Sequence, residues 1–197
     1  MNKHLKNRKP DIRFLRDMSA VVADQDWLKT ATNFEAYYMY RGIETKGNLR
    51  YDITVIPAHM MGDEFIKTKG HYHIGSHPEI YIVLEGEAIY LMQKKDDNGQ
   101  VDDVFAIKAK AGDIAVIPPF YGHVTINPSK QKLKMANWVS MDCKSEYELY
   151  EKNRGACWYY TKDSWVKNKK YSEIPDLRFE KPVRELPENW ERFLEGE

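Results

Sequence analysis

Three histidines and one glutamate are the side chains whose types and spacing best suit chemistry. His71 and His73 lie two residues apart, Glu79 follows shortly after them, and His123 lies in a distant segment. Imidazole nitrogens and a carboxylate oxygen suit divalent transition metals such as iron, manganese, nickel and zinc. Three of the six histidines in the chain belong to this group. The pattern therefore predicts a metal centre formed by His71, His73, Glu79 and His123.

The elements around these residues must bring their side chains together. Residues two apart on a strand point to the same face, so His71 and His73 would point together and Tyr72 would point away. Glu79 opens the next strand after a turn, and His123 follows the pair Pro118-Pro119 on a later strand. We expect all four side chains to converge on one side of a sheet.

Short apolar or alternating runs predict strands through the centre of the chain. They cover residues 37–43, 51–56, 80–84, 87–93, 114–117 and 132–139. Gly86 predicts a hairpin between the third and fourth runs, and Asp96-Asp97-Asn98-Gly99 predicts a turn between two further strands. Many short strands at close spacing indicate a mainly β sandwich or barrel.

Helices are predicted only towards the ends of the chain. The first covers residues 24–36 with Asp24 or Asp26 as its cap, the second covers 146–154, and the third covers 187–194 with Pro187 in its first turn. We expect one domain over residues 1–197. It would have an N-terminal arm at 1–36, a barrel core at about 37–140 and a helical or irregular C-terminal extension at 141–197.

Composition argues against several classes of function. Thirty basic and thirty acidic side chains cancel, so no global field favours nucleic acid or a membrane surface. The sequence has no signal-peptide pattern and no apolar stretch long enough to span a bilayer. Cys143 and Cys157 do not form a disulfide framework, and we expect free thiols in a cytoplasmic protein.

Two extended motifs surround the four predicted metal ligands. They are Thr68-Lys69-Gly70-His71-Tyr72-His73 leading to Glu79-Ile80-Tyr81, and Pro118-Pro119 leading to His123 and Asn127. Together they resemble the two motifs of the cupin superfamily, and more narrowly the cupin-type phosphoglucose isomerases. Those are the metal-dependent glucose-6-phosphate isomerases typical of some archaea and found in some bacteria. The likeness extends roughly over residues 14–139, where Arg16-Asp17-Met18, the pair Tyr37 and Tyr40, and Thr54-Val55 support it.

The resemblance implies a cupin barrel, also called a jelly roll or double-stranded β-helix, that binds one divalent metal ion per chain. Fe²⁺ is favoured, with Mn²⁺, Ni²⁺ or Zn²⁺ as alternatives. It also implies a homodimer that acts on a small sugar phosphate. The implied roles are metal binding by His71, His73, Glu79 and His123, phosphate binding by Thr54, Thr68, Gly70 and Tyr81, and a place near the substrate for Tyr37.

Hydroxyls and backbone N–H groups near Thr54, Thr68 and Gly70 would suit a phosphate dianion independently of the resemblance. The alternative for Tyr37, Thr54 and Tyr81 is plain barrel packing. Lys69 would point away from Thr68 and Gly70 on a strand, and we expect it to be a solvated side chain.

Other polar residues receive simpler interpretations. His77 would be an exposed loop histidine, and His59 and His4 would be surface residues without a role. Asn127 would hold a turn rather than do chemistry.

The sequence departs from the family pattern in two places. Phe120 stands where the family has a tyrosine, with Tyr121 beside it. Beyond Trp138 the family's histidine and tyrosine at the pocket rim have no convincing match, although Tyr147 or Tyr150 could substitute. These departures concern sugar specificity and leave the metal ligands intact.

The leading functional hypothesis is an aldose–ketose isomerase that interconverts glucose 6-phosphate and fructose 6-phosphate, with Glu79 as the catalytic base. In a metal-assisted hydride shift Glu79 would be only a ligand. One alternative is an iron-dependent cupin dioxygenase, and another is a non-catalytic sugar-binding cupin. Mannose 6-phosphate is a variant substrate for the isomerase.

Overall fold

A computed structural model describes residues 8–196 of the chain, so His4 lies outside the described residues. The helices are a 3₁₀ helix (Leu15–Val21), α1 (Gln25–Thr30), α2 (Glu148–Lys152) and α3 (Trp190–Glu195). The strands are β1 (Asp11–Phe14), β2 (Glu35–Lys46), β3 (Leu49–Ile56), β4 (Met60–Met61), β5 (Glu64–Phe65), β6 (Tyr72–His73), β7 (Glu79–Glu85), β8 (Glu87–Lys95), β9 (Val101–Lys110), β10 (Ile114–Ile117), β11 (Tyr121–Ile126), β12 (Leu133–Ser140), β13 (Ser145–Glu146), β14 (Trp158–Tyr160), β15 (Trp165–Lys167) and β16 (Arg178–Glu180).

Strands account for 48% and helices for 13% of the structure that is described. Together with two facing sheets, this confirms the predicted mainly β fold of the cupin type. The larger sheet has the order β1-β2-β3-β12-β7-β10, and the smaller has the order β11-β8-β9-β16. Both are antiparallel apart from the pairing of β16 with β9. The short strand β6 pairs with β13.

The main core lies between the inner faces of the two sheets. It includes Val83 and Met135 from the larger sheet and Leu91 and Val124 from the smaller. Because side chains alternate along a strand, residues an odd number of positions away from these on the same strand face the other way. Trp138 is one of them, and it belongs to a second cluster that α3 covers with Leu194.

The hairpin predicted at Gly86 is wrong. The strand before Gly86, β7, belongs to the larger sheet, and the strand after it, β8, belongs to the smaller. Gly86 has a positive φ of 83°, and a Cβ built on it would lie 2.6 Å from the carbonyl oxygen of Lys132. A glycine is therefore needed where the chain crosses between the sheets and passes close to another segment.

The turn predicted at Asp96 to Gly99 is confirmed, since it joins the paired strands β8 and β9. The Asp96 carboxylate accepts the N–H groups of Asn98 (2.9 Å) and Gln100 (2.8 Å). Asn127 holds a turn as predicted, because its side-chain amide donates to the carbonyl of Gln131 at 2.8 Å.

The predicted helices are present but shorter than expected. Asp24 caps α1 by accepting the N–H groups of Asp26 and Trp27, but the helix ends at Thr30 rather than at residue 36. Pro187 lies before α3 and not in its first turn. None of the helices within residues 8–196 has the length and apolar character that crossing a membrane requires.

Candidate metal centre and substrate cleft

Two of the predicted ligands are joined through their backbones. The N–H of His71 donates to the carbonyl of His123 (3.2 Å), and the N–H of His123 donates to the carbonyl of His71 (2.9 Å). This isolated antiparallel bridge links the segment before β6 to β11. It places both imidazoles on one side of the backbone pair.

The four predicted ligands bring their donor atoms within 4.8 Å of one another. Nε2 of His71 lies 3.2 Å from Nε2 of His73. Oε2 of Glu79 lies 3.4 Å from Nε2 of His73 and 3.2 Å from Nε2 of His123. Metal–ligand bonds of about 2.0–2.2 Å place neighbouring donors roughly 3 Å apart, so the cluster could bind a divalent metal ion.

Neighbouring groups orient two of these donors. Nδ1 of His73 lies 2.7 Å from the carbonyl oxygen of His77. A carbonyl only accepts, so Nδ1 carries the proton and Nε2 faces the cluster. The amide of Asn137 donates to Oε1 of Glu79 at 2.6 Å. This bond directs the other oxygen, Oε2, at the imidazoles. Oε2 is buried and has no hydrogen-bond donor within the described chain.

Charges in the cluster suit a cation. Burial raises the pKa of the Glu79 carboxyl, but contacts with His123 and His73 outweigh it and hold that pKa well below its usual range. Burial lowers the pKa of both His71 and His123, which favours the neutral imidazoles that metal binding needs. Burial also lowers the pKa of His73, but contacts with Cys143 and Glu79 raise it to about 10. An ion would have to displace the His73 proton.

A cleft opens onto this cluster, and His71, His73 and Glu79 line it. All five residues that the sequence predicted near the substrate line it. They are Tyr37, Thr54, Thr68, Gly70 and Tyr81.

Several hydroxyl groups in the cleft can donate to a ligand. Oγ1 of Thr68 accepts the N–H of Thr125 (3.0 Å), and the hydroxyl of Tyr37 accepts the N–H of Lys69 (3.3 Å). Each hydroxyl proton stays available because these bonds use only the oxygen lone pairs. Burial and the nearby Glu79 carboxylate raise the pKa of the Tyr81 phenol, so it is neutral, and it lies 3.2 Å from Nε2 of His123.

Gly70 is required by its surroundings. Its φ is +78°, and a Cβ at this position would lie 2.6 Å from the ring of Tyr150. A glycine therefore keeps the backbone of this segment against Tyr150 while its other side lines the cleft.

The prediction for Lys69 is wrong. Lys69 lines the cleft, and its side chain is only 15% exposed and pairs with Glu151 instead of standing free in solvent. Residues 67 to 71 do not form a regular strand, and Gly70 takes a left-handed conformation. The alternation of side chains assumed for a strand therefore does not apply to Lys69.

Sequence reasoning missed three charged residues in the cleft. Arg41, Arg50 and Asp52 line its wall, where Nε of Arg50 lies 3.0 Å and Nη1 of Arg41 lies 3.6 Å from Oδ2 of Asp52. Arg50, Asp52 and Thr54 are spaced two apart on β3 and so share one face. This spacing could have placed Arg50 and Asp52 beside the predicted Thr54. Nothing in the sequence singled out Arg41.

Of the two tyrosines that could substitute at the pocket rim, only Tyr147 lines the cleft. Its ring centroid lies 5.6 Å from that of His71. Tyr150 is fully buried against Tyr72 and does not line the cleft.

Phe120 is 60% exposed and lies outside the cleft. His59 is exposed as predicted, whereas His77 is half-buried and contributes its backbone carbonyl.

Comparison with known families gives a match over most of the chain. The family model described as glucose-6-phosphate isomerase (GPI) matches residues 12–176.

Three curated relatives, each called glucose-6-phosphate isomerase, are similar to the chain. The protein of Thermococcus litoralis is 31% identical over 130 residues, which is 62% of this chain and 65% of the relative. That of Pyrococcus furiosus is 28% identical over 62% of this chain and 66% of the relative. That of Sinorhizobium medicae is 29% identical over 71% of this chain and 66% of the relative. The match thus spans just under two thirds of each relative's length.

Two solved structures show weaker likeness. An oxalate oxidase in complex with the substrate analogue glycolate has a TM-score of 0.45 and 18% identity over 57% of this chain and 55% of its own. The Lactobacillus farciminis oxalate decarboxylase formate complex has a TM-score of 0.41 and 20% identity over 53% and 29%.

Proposed function

Because this chain belongs to the glucose-6-phosphate isomerase family, we propose that it interconverts glucose 6-phosphate and fructose 6-phosphate. The reaction moves hydrogen between C1 and C2 of the sugar. It needs a group that binds the two oxygens, a base beside C1 and C2, and a separate place for the phosphate.

One observation carries the proposal: residues of the four-donor cluster and a set of hydroxyl donors line the same cleft. Three of the donors, His71, His73 and Glu79, line this cleft, and so do Thr54, Thr68 and Tyr37. A sugar phosphate has oxygens at C1 and C2 and a dianion at C6, so its two ends would meet different chemistry in the cleft. This arrangement supports an open-chain substrate that spans it.

His71, His73, Glu79 and His123 would hold the metal ion, since their donor atoms fit one ion. Fe²⁺ is our preferred ion, with Mn²⁺, Ni²⁺ and Zn²⁺ as alternatives, because this ligand set suits all of them. When bound, the ion supplies polarisation of the sugar carbonyl and stabilisation of developing negative charge.

Glu79 is the proposed base. Its pKa is held low, so the carboxylate is ionised, and its Oε1 is fixed by Asn137. Glu79 would take the proton from C2 of the aldose and return it to C1, the hydroxyl proton of O2 would pass to O1, and the neutral Tyr81 hydroxyl would donate a hydrogen bond to a sugar oxygen. If hydrogen moves instead as a hydride, Glu79 serves only as a ligand. Running the reaction in D₂O separates the two, since a pure hydride shift places no solvent deuterium in the sugar.

The phosphate would bind to Thr54, Thr68, Gly70 and Tyr81, with Tyr37 beside it. Hydroxyl and backbone N–H donors at these residues suit phosphate oxygens. Since Tyr81 also lies beside His123, it would contact the substrate between the phosphate and the cluster.

We also propose that the protein is a cytoplasmic, single-domain homodimer of glycolysis and gluconeogenesis, with no nucleic-acid or membrane partner. The balance of thirty basic and thirty acidic side chains supports the last part. Sedimentation of the purified protein would test the dimer.

A coupled assay on fructose 6-phosphate, with Fe²⁺ or Mn²⁺ added, tests the proposed activity. We expect turnover that chelation abolishes and that Glu79→Gln lowers at least about 100-fold. No turnover by protein that demonstrably holds metal would overturn the assignment. Mannose 6-phosphate should be assayed in parallel, because the family's histidine and tyrosine at the pocket rim have no convincing match in this sequence.

A further inference from the structure

Lys69 and Glu151 form an ion pair at the wall of the cleft. Nζ of Lys69 lies 2.5 Å from Oε1 of Glu151, a residue of α2, and 5.3 Å from the ring centroid of Tyr147. The lysine side chain is 15% exposed and the glutamate side chain 43%. The cation is thus largely shielded from water beside Tyr147, which lines the cleft, whereas its partner is partly exposed.

The position of Lys69 places a positive charge among neutral donors. Its neighbours in sequence, Thr68 and Gly70, line the same cleft, and its own N–H binds the Tyr37 hydroxyl. Neutral donors alone do not balance the charge of a phosphate dianion, whereas an ammonium group adds direct Coulomb attraction to its hydrogen bond. A cation at this place would supply that charge.

The other cations of the cleft are less available. Arg50 and Arg41 both face Asp52, whose side chain is only 6% exposed. Drawing these arginines to a ligand would leave a buried carboxylate without its partners, which is costly. Exchanging Glu151 for a ligand anion costs less, because the Lys69 ammonium keeps a charged partner and the partly exposed Glu151 carboxylate can return to water.

We propose that Lys69 binds the phosphate of the substrate by exchanging Glu151 for it. The occupant is a sugar monophosphate, and the neutral sugar would leave the Lys69–Glu151 pair closed. This inference rests on the proposed function for the identity of the sugar, but not for the presence of an anion site. It adds a charged residue to a phosphate site otherwise formed by neutral donors.

Two charge-removing substitutions have opposite predicted effects. Lys69→Met keeps the length of the side chain and removes its charge, and it should raise KM for fructose 6-phosphate roughly 10- to 100-fold. Glu151→Gln removes the competing carboxylate and should lower KM about 1.5- to 5-fold. If the pair merely braced α2 against the barrel, both substitutions would shift KM in the same direction, and that result would overturn the proposal.

A matched control and a second readout complete the test. Glu148→Gln removes the same charge from the exposed face of the same helix, and KM should not change. Titration calorimetry of the metal-loaded protein with inorganic phosphate should show weaker binding for Lys69→Met and tighter binding for Glu151→Gln. The titration needs no turnover, so these opposite shifts in a protein without isomerase activity would support the anion site and refute only the proposed function. Absence of phosphate binding by the unsubstituted protein would overturn the anion site itself.

Discussion

The amide of Asn137 donates a 2.6 Å hydrogen bond to Oε1 of Glu79 and thereby turns the other carboxylate oxygen towards two imidazoles. Asn137 and Glu79 lie on adjacent strands, β12 and β7, of the larger sheet. Asn137 is therefore a positioning residue for the proposed metal ligand, although it is not part of the cluster itself.

Asn137→Ala should weaken metal binding by about 10- to 100-fold, the usual effect of removing a group that orients a ligand. Competition with a chromogenic chelator measures the affinity. His59→Ala is the control, since His59 is exposed and does not belong to the cluster. Equal affinity of the Asn137 variant and the control would show that Glu79 keeps its orientation without the amide.

Metal should stabilise the folded protein, because a ligand that binds only the native state shifts unfolding by mass action. At one hundred times Kd the gain is about 2.7 kcal/mol. We expect a higher Tm with Mn²⁺ than with a chelator in thermal unfolding. His123→Ala should remove this difference, and a metal-dependent Tm that survives in the variant would place the ion elsewhere.

Gly70→Ala should lower the free energy of unfolding by about 2–5 kcal/mol, because it combines left-handed backbone strain with a clash. The clash is with the buried ring of Tyr150. Gly112→Ala is a matched control, since Gly112 also has a positive φ but has no atom within 4 Å of its added Cβ. The control should cost only about 1–2 kcal/mol. Urea unfolding gives both values, and equal costs would mean that Tyr150 moves aside.

The two thiols should differ in reactivity. Burial raises the pKa of the Cys157 thiol to about 12, so almost no thiolate forms there at pH 8, while Cys143 is half-buried and lines the cleft. Iodoacetamide should therefore alkylate Cys143 first, and fructose 6-phosphate should slow that reaction. Peptide mass spectrometry reads out both sites, and the prediction fails if Cys157 reacts as fast as Cys143.

The sequence predicted the four-residue cluster because the signal is local and chemical. His71, His73 and Glu79 lie within one short segment, and the ligand chemistry of their side chains is independent of the fold. The strand runs were also placed well, since β10 was predicted with the bounds that the structure has.

Features that depend on the pairing of distant strands could not be read from the sequence. The crossing at Gly86 is decided by which sheet each strand joins, and local turn signals look alike in both cases. Arg41 reaches Asp52 across β2 and β3, where the register shifts between Tyr40 and Glu44. The direction of the Lys69 side chain was predicted wrongly, because Gly70 after it takes a left-handed conformation and the segment lacks the side-chain alternation of a strand.

The reciprocal backbone hydrogen bonds between His71 and His123 bear on the kinetics of ion exchange. These bonds hold both ligands in place without an ion, so an incoming ion meets a preformed site and little chain entropy is lost. Loading of the purified protein should then proceed without a refolding phase. The rate of metal loading should follow the rate at which each hydrated ion loses water. This rate should therefore differ more between metals than between protein variants with substitutions outside the cluster.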